Sequence, residues 1–212
     1  MITLFIDTST DTLTVSIIND DVILDAITLP SSEHSKYAMS AIESIFDKNN
    51  IKRNSVNKIM VVNGPGSFTD IRIGVTIAKI YAWACNINVV PISTLKAYAI
   101  SNMGYKYYIS SIDARRNYVY AAIYDSNYNN ILDESYINKD DLINKIIKLE
   151  DYLIISNTPI SEFNTVKPKL DIKRIYDYYK NDIGINCHAL RPVYLKEVEA
   201  VEKMGGYNDE RI

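Results

Sequence analysis

Three short segments carry residue types that could do chemistry. Residues 63–74 read NGPGSFTDIRIG and follow the apolar run Ile59, Met60, Val61, Val62. A glycine-proline turn between a buried strand and a helix is a place where α/β proteins seat phosphates, other ligands or partners. Gly64 and Gly66 supply unusual backbone angles. Ser67 followed by Asp70 predicts an N-cap with a capping box. Asp70 also puts a negative charge where a phosphate would sit, and the Gly-Lys-Ser/Thr ending of a P-loop is missing. The second segment is Asp7-Thr8-Ser9-Thr10, at a predicted hairpin tip. Asp7 reads either as the relic of a nucleotide site, orienting a metal or water, or as a turn residue, and Ser9 can close such a turn on itself. The third is Asp113-Ala114-Arg115-Arg116. Arg115 and Arg116 could hold a phosphate or carboxylate by bidentate pairing, or serve as solvated turn residues or interlobe ion pairs.

Other chemistries find little support. His34 and His188 stand far apart, no His-x-x-x-His pair occurs, and no metal site is expected. His34 reads as a cap or surface residue. Ser67 lacks the closing glycine of a nucleophile elbow, since Thr69 follows it two residues on. Cys85 and Cys187 have no paired spacing, which suits a reducing compartment. The formal net charge of -3 argues against an independent grip on nucleic acid, so any contact with RNA is expected to be local or made through a partner. Seventeen tyrosines read as strand and interface residues rather than base-stacking platforms. The first ten residues lack a basic n-region, and no stretch is long enough to span a bilayer. The expectation is a soluble cytoplasmic protein.

The elements that must position these segments are legible as alternating and helical patterns. Residues 2–7, 12–19 and 22–29 predict a three-stranded meander, closed by Pro30, Ser31 and Ser32. Residues 35–48 predict a helix, 58–62 a buried strand, 70–85 a second helix, 88–91 a strand and 94–102 a third helix. The second half predicts strands at 107–113, 118–124, 131–137 and 152–156, with helices at 140–149 and 172–180. The 212 residues, 47% of them hydrophobic, suffice for one domain or two small ones.

The two halves can be laid over each other. Ile6-Asp7 and the strand from Thr12 to Ile17 correspond to Ile112-Asp113 and the strand from Tyr118 to Ile123, at constant offset. Ile23-Leu24-Asp25 then meets Ile131-Leu132-Asp133 after a turn two residues longer. A repeated β-β-β-α-β-α unit with mixed sheets is the plan of actin-like ATPases and sugar kinases, in which each hairpin tip faces the cleft between lobes. The expected division is 1–103 for the first lobe and 104–212 for a smaller second lobe with a C-terminal tail.

The helix after the glycine turn is apolar on nearly every side. Ile71, Val75, Ala78 and Ala82 lie along one side, and Ile73, Ile77, Ile80 and Ala84 along another. Such a helix must be buried nearly all round, and its own sheet covers only one side. The first and second helices are therefore expected to face another chain through Tyr37, Ala41, Ile45, Ile71, Gly74, Val75, Ala78 and Ala82. On that reading Ala78→Arg or Val75→Glu abolishes pairing while the monomer stays folded.

These blocks carry a family resemblance. Ile6 to Thr10, Glu33-His34-Ser35, Gly64 to Thr69 with Arg72-Ile73-Gly74, Ser93-Thr94-Leu95, Asp113 to Arg116, and Pro192 to Lys196 resemble the TsaB (YeaZ) family. The resemblance implies an actin-like (ASKHA, ribonuclease H-like) α/β fold of two lobes with mixed sheets, the second reduced. It implies a non-catalytic subunit in formation of N6-threonylcarbamoyladenosine at position 37 of tRNAs reading codons that begin with A. Its implied partners are a TsaD-like paralogue that performs the transfer, a TsaE-like ATPase, and a second copy of itself. It implies no cofactor of the chain's own, with ATP or ADP present only in the partner complex. Asp70 departs from the family's usual Gly, and Ile71 from its Leu. The alternative is an ATP-dependent phosphotransferase of the sugar-kinase type, against which the missing Asp-x-Gly tip weighs. A peptidase has no supporting motif.

Overall fold

The computed structural model describes residues 1–30, 33–161 and 163–196. Ser31 and Ser32, expected to close the first meander, and the expected tail at 197–212 lie outside the described residues. The first half runs β1 (Ile2–Asp7), β2 (Thr12–Asn19), β3 (Val22–Pro30), α1 (His34–Lys48), β4 (Val56–Gly64), α2 (Phe68–Cys85), β5 (Val89–Ser93) and α3 (Thr94–Ile100). The second half runs β6 (Tyr107–Asp113), β7 (Tyr118–Asp125), β8 (Asn130–Asn138), α4 (Lys139–Ile146), β9 (Tyr152–Ser156), β10 (Thr165–Val166) and α5 (Ile172–Tyr179). The pattern of strands and helices follows the sequence closely. A single turn of 3-10 helix at Arg53–Ser55 and the two-residue β10 are additions that so short a run could not announce.

Each half builds a five-stranded mixed sheet. Their orders are β3-β2-β1-β4-β5 and β8-β7-β6-β9-β10. In both, the meander is antiparallel and the last two strands add in parallel. The two halves therefore share one topology, strand for strand, as the internal repeat predicts.

The residue-by-residue match slips by one in the first strand of the repeat. Leu4 pairs with Ile17, and Ile109 with Ile123. Leu4 and Ile6 face the α1/α2 core together with Leu13, Val15 and Ile17. In the second sheet Ile109 faces the α4 core with Val119, Ala121 and Ile123, while Ile112 packs on the opposite side. Because side chains alternate, the place of Asp7 is taken by Ile112 and not by Asp113.

The first sheet is covered on both faces. α1 and α2 cover one, over Leu4, Ile6, Val15, Ile59 and Val61. α5 returns from the second half to the other and joins α3 there, where Ile175 and Tyr176 help seal Phe5, Ile18, Met60 and Val62. Cys187 and Leu190 join the α1/α2 core. Ile175, Tyr176, Cys187 and Leu190 thus serve the first lobe, while Arg174 bonds the Tyr128 hydroxyl and Leu195 packs beside Tyr108 and Tyr124 of the second half. Among the described residues no helix is long and apolar enough to cross a membrane.

Candidate functional site

The tip of the first hairpin is locked onto the start of α2. The Ser67 backbone N–H donates to the Ser9 carbonyl at 2.9 Å. The Thr8 hydroxyl donates to the Asp70 carbonyl at 2.6 Å and accepts the Gly74 N–H at 3.1 Å. Thr8 and Ser9 are fully buried. A Cβ on Gly66 would lie 2.1 Å from the Ser9 carbonyl oxygen, and one on Gly74 would lie 2.5 Å from the Thr8 hydroxyl. These two glycines are required by the close approach of the hairpin, not by a ligand.

The capping box expected at Ser67 and Asp70 forms differently. Ser67 is the N-cap, but its side chain caps no backbone N–H. Its hydroxyl donates to the Asp70 carboxylate instead. The other Asp70 oxygen lies 3.0 Å from Nδ1 of His34, in the first turn of α1. His34 is a core residue, 1% exposed, and not the surface residue the sequence predicts. Its proximity to Asp70 lacks the alignment of a hydrogen bond. At the N-terminus of α2 the Ser9 carbonyl thus holds the Ser67 N–H, and the Asp70 carboxylate holds the Ser67 hydroxyl and lies beside His34.

Asp7 lies at the end of β1, 3% exposed, with one carboxylate oxygen accepting the Ser9 N–H at 2.8 Å. Burial raises its pKa to about 6, against the opposing pull of the Ser9 hydrogen bonds and of His34. It lines a cleft between the lobes, where Tyr98, Asn157 and Lys167 also converge. A second cavity beside it is lined by Ser9, Asp70 and Ile112. Neither cavity is lined by Arg115 or Arg116. The second hairpin tip is exposed, with Arg115, Arg116 and Asn117 all in the left-handed region. Asp113 pairs with Lys139 at 3.3 Å. The two tips expected to act as a pair across the cleft are therefore unlike, and only the first reaches it with a carboxylate. Among the described residues no group of three or more His, Cys, Asp or Glu side chains could hold a metal.

The expected partner face requires correction. Ala41, Ile45, Ile71, Gly74, Val75, Ala78 and Ala82 are all buried in the chain's own core. Only Tyr37, 36% exposed, is on the surface. The four-residue spacing of Gly74, Ala78 and Ala82 lets α2 sit close on its own sheet, which accounts for the small side chains without a partner. The other side of α2 is the outward one. Ile80 is 61% and Trp83 67% exposed, with Phe68, Thr76 and Ala84 also exposed and Ile73 and Ile77 half-buried. The signal was in the sequence, as a second apolar stripe running into the chain's only tryptophan.

A protein-family model described as "TsaD: tRNA N6-adenosine threonylcarbamoyltransferase" matches residues 28–179. The chain belongs to this family, in its TsaB (YeaZ) branch. It is 40% identical over 126 residues to the tRNA threonylcarbamoyladenosine biosynthesis protein TsaB of Bacillus subtilis, covering 58% of this chain and 55% of that one. It is 31% identical over 131 residues to TsaB of Escherichia coli, covering 60% and 57%. The matched region thus spans a little over half the length of these curated relatives. YeaZ from Pseudomonas aeruginosa superposes with a TM-score of 0.75 at 19% identity, over 92% of this chain and 99% of that one. The fold is the actin-like one of two lobes with mixed sheets, the second reduced.

Four of the blocks that carry the TsaB likeness, at Ile6 to Thr10, Glu33 to Ser35, Gly64 to Gly74 and Pro192 to Lys196, meet at one joint. Gly64 leaves room for the C-terminal segment, since a Cβ there would lie 2.7 Å from the Val193 carbonyl oxygen. The Val193 N–H donates to the Asn63 carbonyl at 2.8 Å, and the Asn63 amide donates to the Arg191 carbonyl at 2.9 Å. Arg72 stacks on Phe68, 3.7 Å from the ring centroid, and its Nε donates to the Tyr194 hydroxyl at 2.8 Å. The glycine motif of this TsaB-type chain is a structural joint, gathering the first hairpin, α1, α2 and residues 191–194.

Proposed function

We propose that this chain is a non-catalytic subunit in the biosynthesis of N6-threonylcarbamoyladenosine in tRNA, acting on adenosine 37 of tRNAs that read codons beginning with A. It serves there as the dimer partner and activator of a TsaD-like transferase. A TsaE-like ATPase joins the pair, the chain also pairs with a second copy of itself, and tRNA is met through the partner. It works in the cytoplasm and brings no cofactor of its own, ATP or ADP entering with the partner complex. The names of the curated TsaB relatives support the pathway. The observation that carries the scaffold role is the outward side of α2, where Ile80 and Trp83 stand exposed beside half-buried Ile73 and Ile77. An apolar stripe on a long surface helix is stabilised when another chain covers it.

The phosphotransferase alternative needs an open hairpin tip onto which backbone N–H groups can draw phosphate. Here Thr8 and Ser9 are already engaged with α2. The test is co-expression with the organism's TsaD-like protein, followed by a tRNA modification assay with and without this chain. Modification that depends on this chain is expected. ATP hydrolysis or sugar phosphorylation by the purified chain alone would revive the alternative.

A further inference from the structure

The face of the first sheet that looks away from α1 and α2 changes character along its length. Phe5, Ile18, Met60 and Val62 are sealed under α3 and α5. Towards the hairpin tips the same face turns polar. Asp7 pairs with Thr14 across β1 and β2, and Thr14 with Thr28 across β2 and β3, so the three form a row over adjacent strands. That row lines the interlobe cleft, a cavity of about 670 Å³. This volume is in the range that holds a small molecule.

Two nearly buried side chains in its wall keep a polar atom open to the cavity. The second carboxylate oxygen of Asp7 has no hydrogen bond among the described residues, and neither does the hydroxyl of Tyr98 on α3, itself 3% exposed. Neither atom is sealed off from the cavity, so each is placed to meet a polar group of a ligand there. The charges around the cavity are also unpaired and divided by lobe. Asp11 stands with Asp7 on the first-lobe side, while Lys167 and Lys169 line it from the segment after β10. Among the described residues Asp7, Asp11, Lys167 and Lys169 form no ion pair with one another or with other side chains.

We propose that this cavity binds a small zwitterion, an α-amino acid, with its ammonium group on Asp7 and Asp11, its carboxylate on Lys167 and Lys169, and its side chain against Leu170 and Ile172. A simple anion would sit against Asp7, and a simple cation against the two lysines. A neutral polyol would leave the buried Asp7 carboxylate uncompensated. A nucleotide that set its phosphates at the α2 N-terminus would meet the Asp70 carboxylate there. The inference does not depend on the scaffold role proposed above.

The test is calorimetric titration of the full chain with each standard α-amino acid, and with acetate, methylamine, glycerol and ATP as separate probes. At least one amino acid is expected to bind with a Kd below about 10 mM, and the four other probes to bind about tenfold more weakly or not at all. Asp7→Asn, and separately the double variant Lys167→Ala/Lys169→Ala, should each weaken that binding by about tenfold or more. Both lysines are exposed, so the double variant keeps the fold even if Asp7→Asn disturbs it. The proposal is overturned if no amino acid binds at about 10 mM, if the lysine variant binds as the wild type does, or if glycerol or ATP binds more tightly.

Discussion

The two lobes have the same strand order and direction but treat their hairpin tips and crossovers differently. The first tip is buried, bonded to α2 through Thr8 and Ser9, and it puts Asp7 into the cleft. The second tip is exposed, strung through three left-handed residues, and its Asp113 pairs with Lys139 near the surface. Between β4 and β5 the first lobe carries the 18-residue α2. Between β9 and β10 the second lobe has no helix among the described residues. Repetition has preserved the sheets and let the attached parts diverge. The specialised parts, a glycine joint and a helix with an apolar outward side, both belong to the first lobe. The second contributes Asn157, Lys167 and Lys169 to the cleft wall.

Substitutions on the inner side of α2 should have the largest effect. Val75→Glu or Ala78→Arg places a charge in the core, where each residue is at most 4% exposed. Each is expected to cost more than about 4 kcal/mol and to leave little folded monomer, as read by denaturant unfolding. A folded, stable Ala78→Arg chain would mean that α2 does not pack as described.

Next comes the joint. Gly66→Ala drives a methyl group against the Ser9 backbone, which no rotamer change can relieve, and is expected to cost about 2–3 kcal/mol in the same measurement. A neutral Gly66→Ala would show that the first tip is as loosely held as the second.

The two tip aspartates should then respond with opposite sign. Asp7 titrates at about 6 when folded and near 3.8 when unfolded, so the folded state binds more protons between those values. Its burial therefore costs nothing below about pH 4, and stability falls as pH rises through 6, after which the loss is constant. Asp7→Asn keeps an acceptor for the Ser9 N–H and is expected to stabilise the chain by about 1–3 kcal/mol at pH 7, and to flatten the profile between pH 4 and 6. Asp113→Asn, at a partly exposed ion pair, should destabilise by less than about 1 kcal/mol. Equal responses at the two positions would erase the distinction between the tips.

The strands and helices were legible because alternation and helical spacing are local signals. The duplication was legible as well, in the order of its elements. What could not be read was facing. Ile6-Asp7 and Ile112-Asp113 look alike as letters, yet a one-residue slip in the second copy turns Asp113 away from the cleft. The same difficulty misplaced the partner face. Both sides of α2 are apolar, so periodicity alone does not say which meets the sheet. Gly74, Ala78 and Ala82 mark close approach, and here the nearest surface is the chain's own β4 and β1. His34 was misread for a related reason. A polar residue in a first turn looks like a surface cap until Asp70 is placed beside it.

The measurement that bears most directly on the scaffold role is co-purification of the TsaD-like paralogue with a chain carrying Ile80→Asp and Trp83→Asp. Both side chains are exposed in the monomer, so its unfolding free energy should change by less than about 0.5 kcal/mol per site. The account predicts that this folded variant no longer retains the paralogue and no longer supports tRNA modification. Retention at wild-type strength by the folded variant would contradict it.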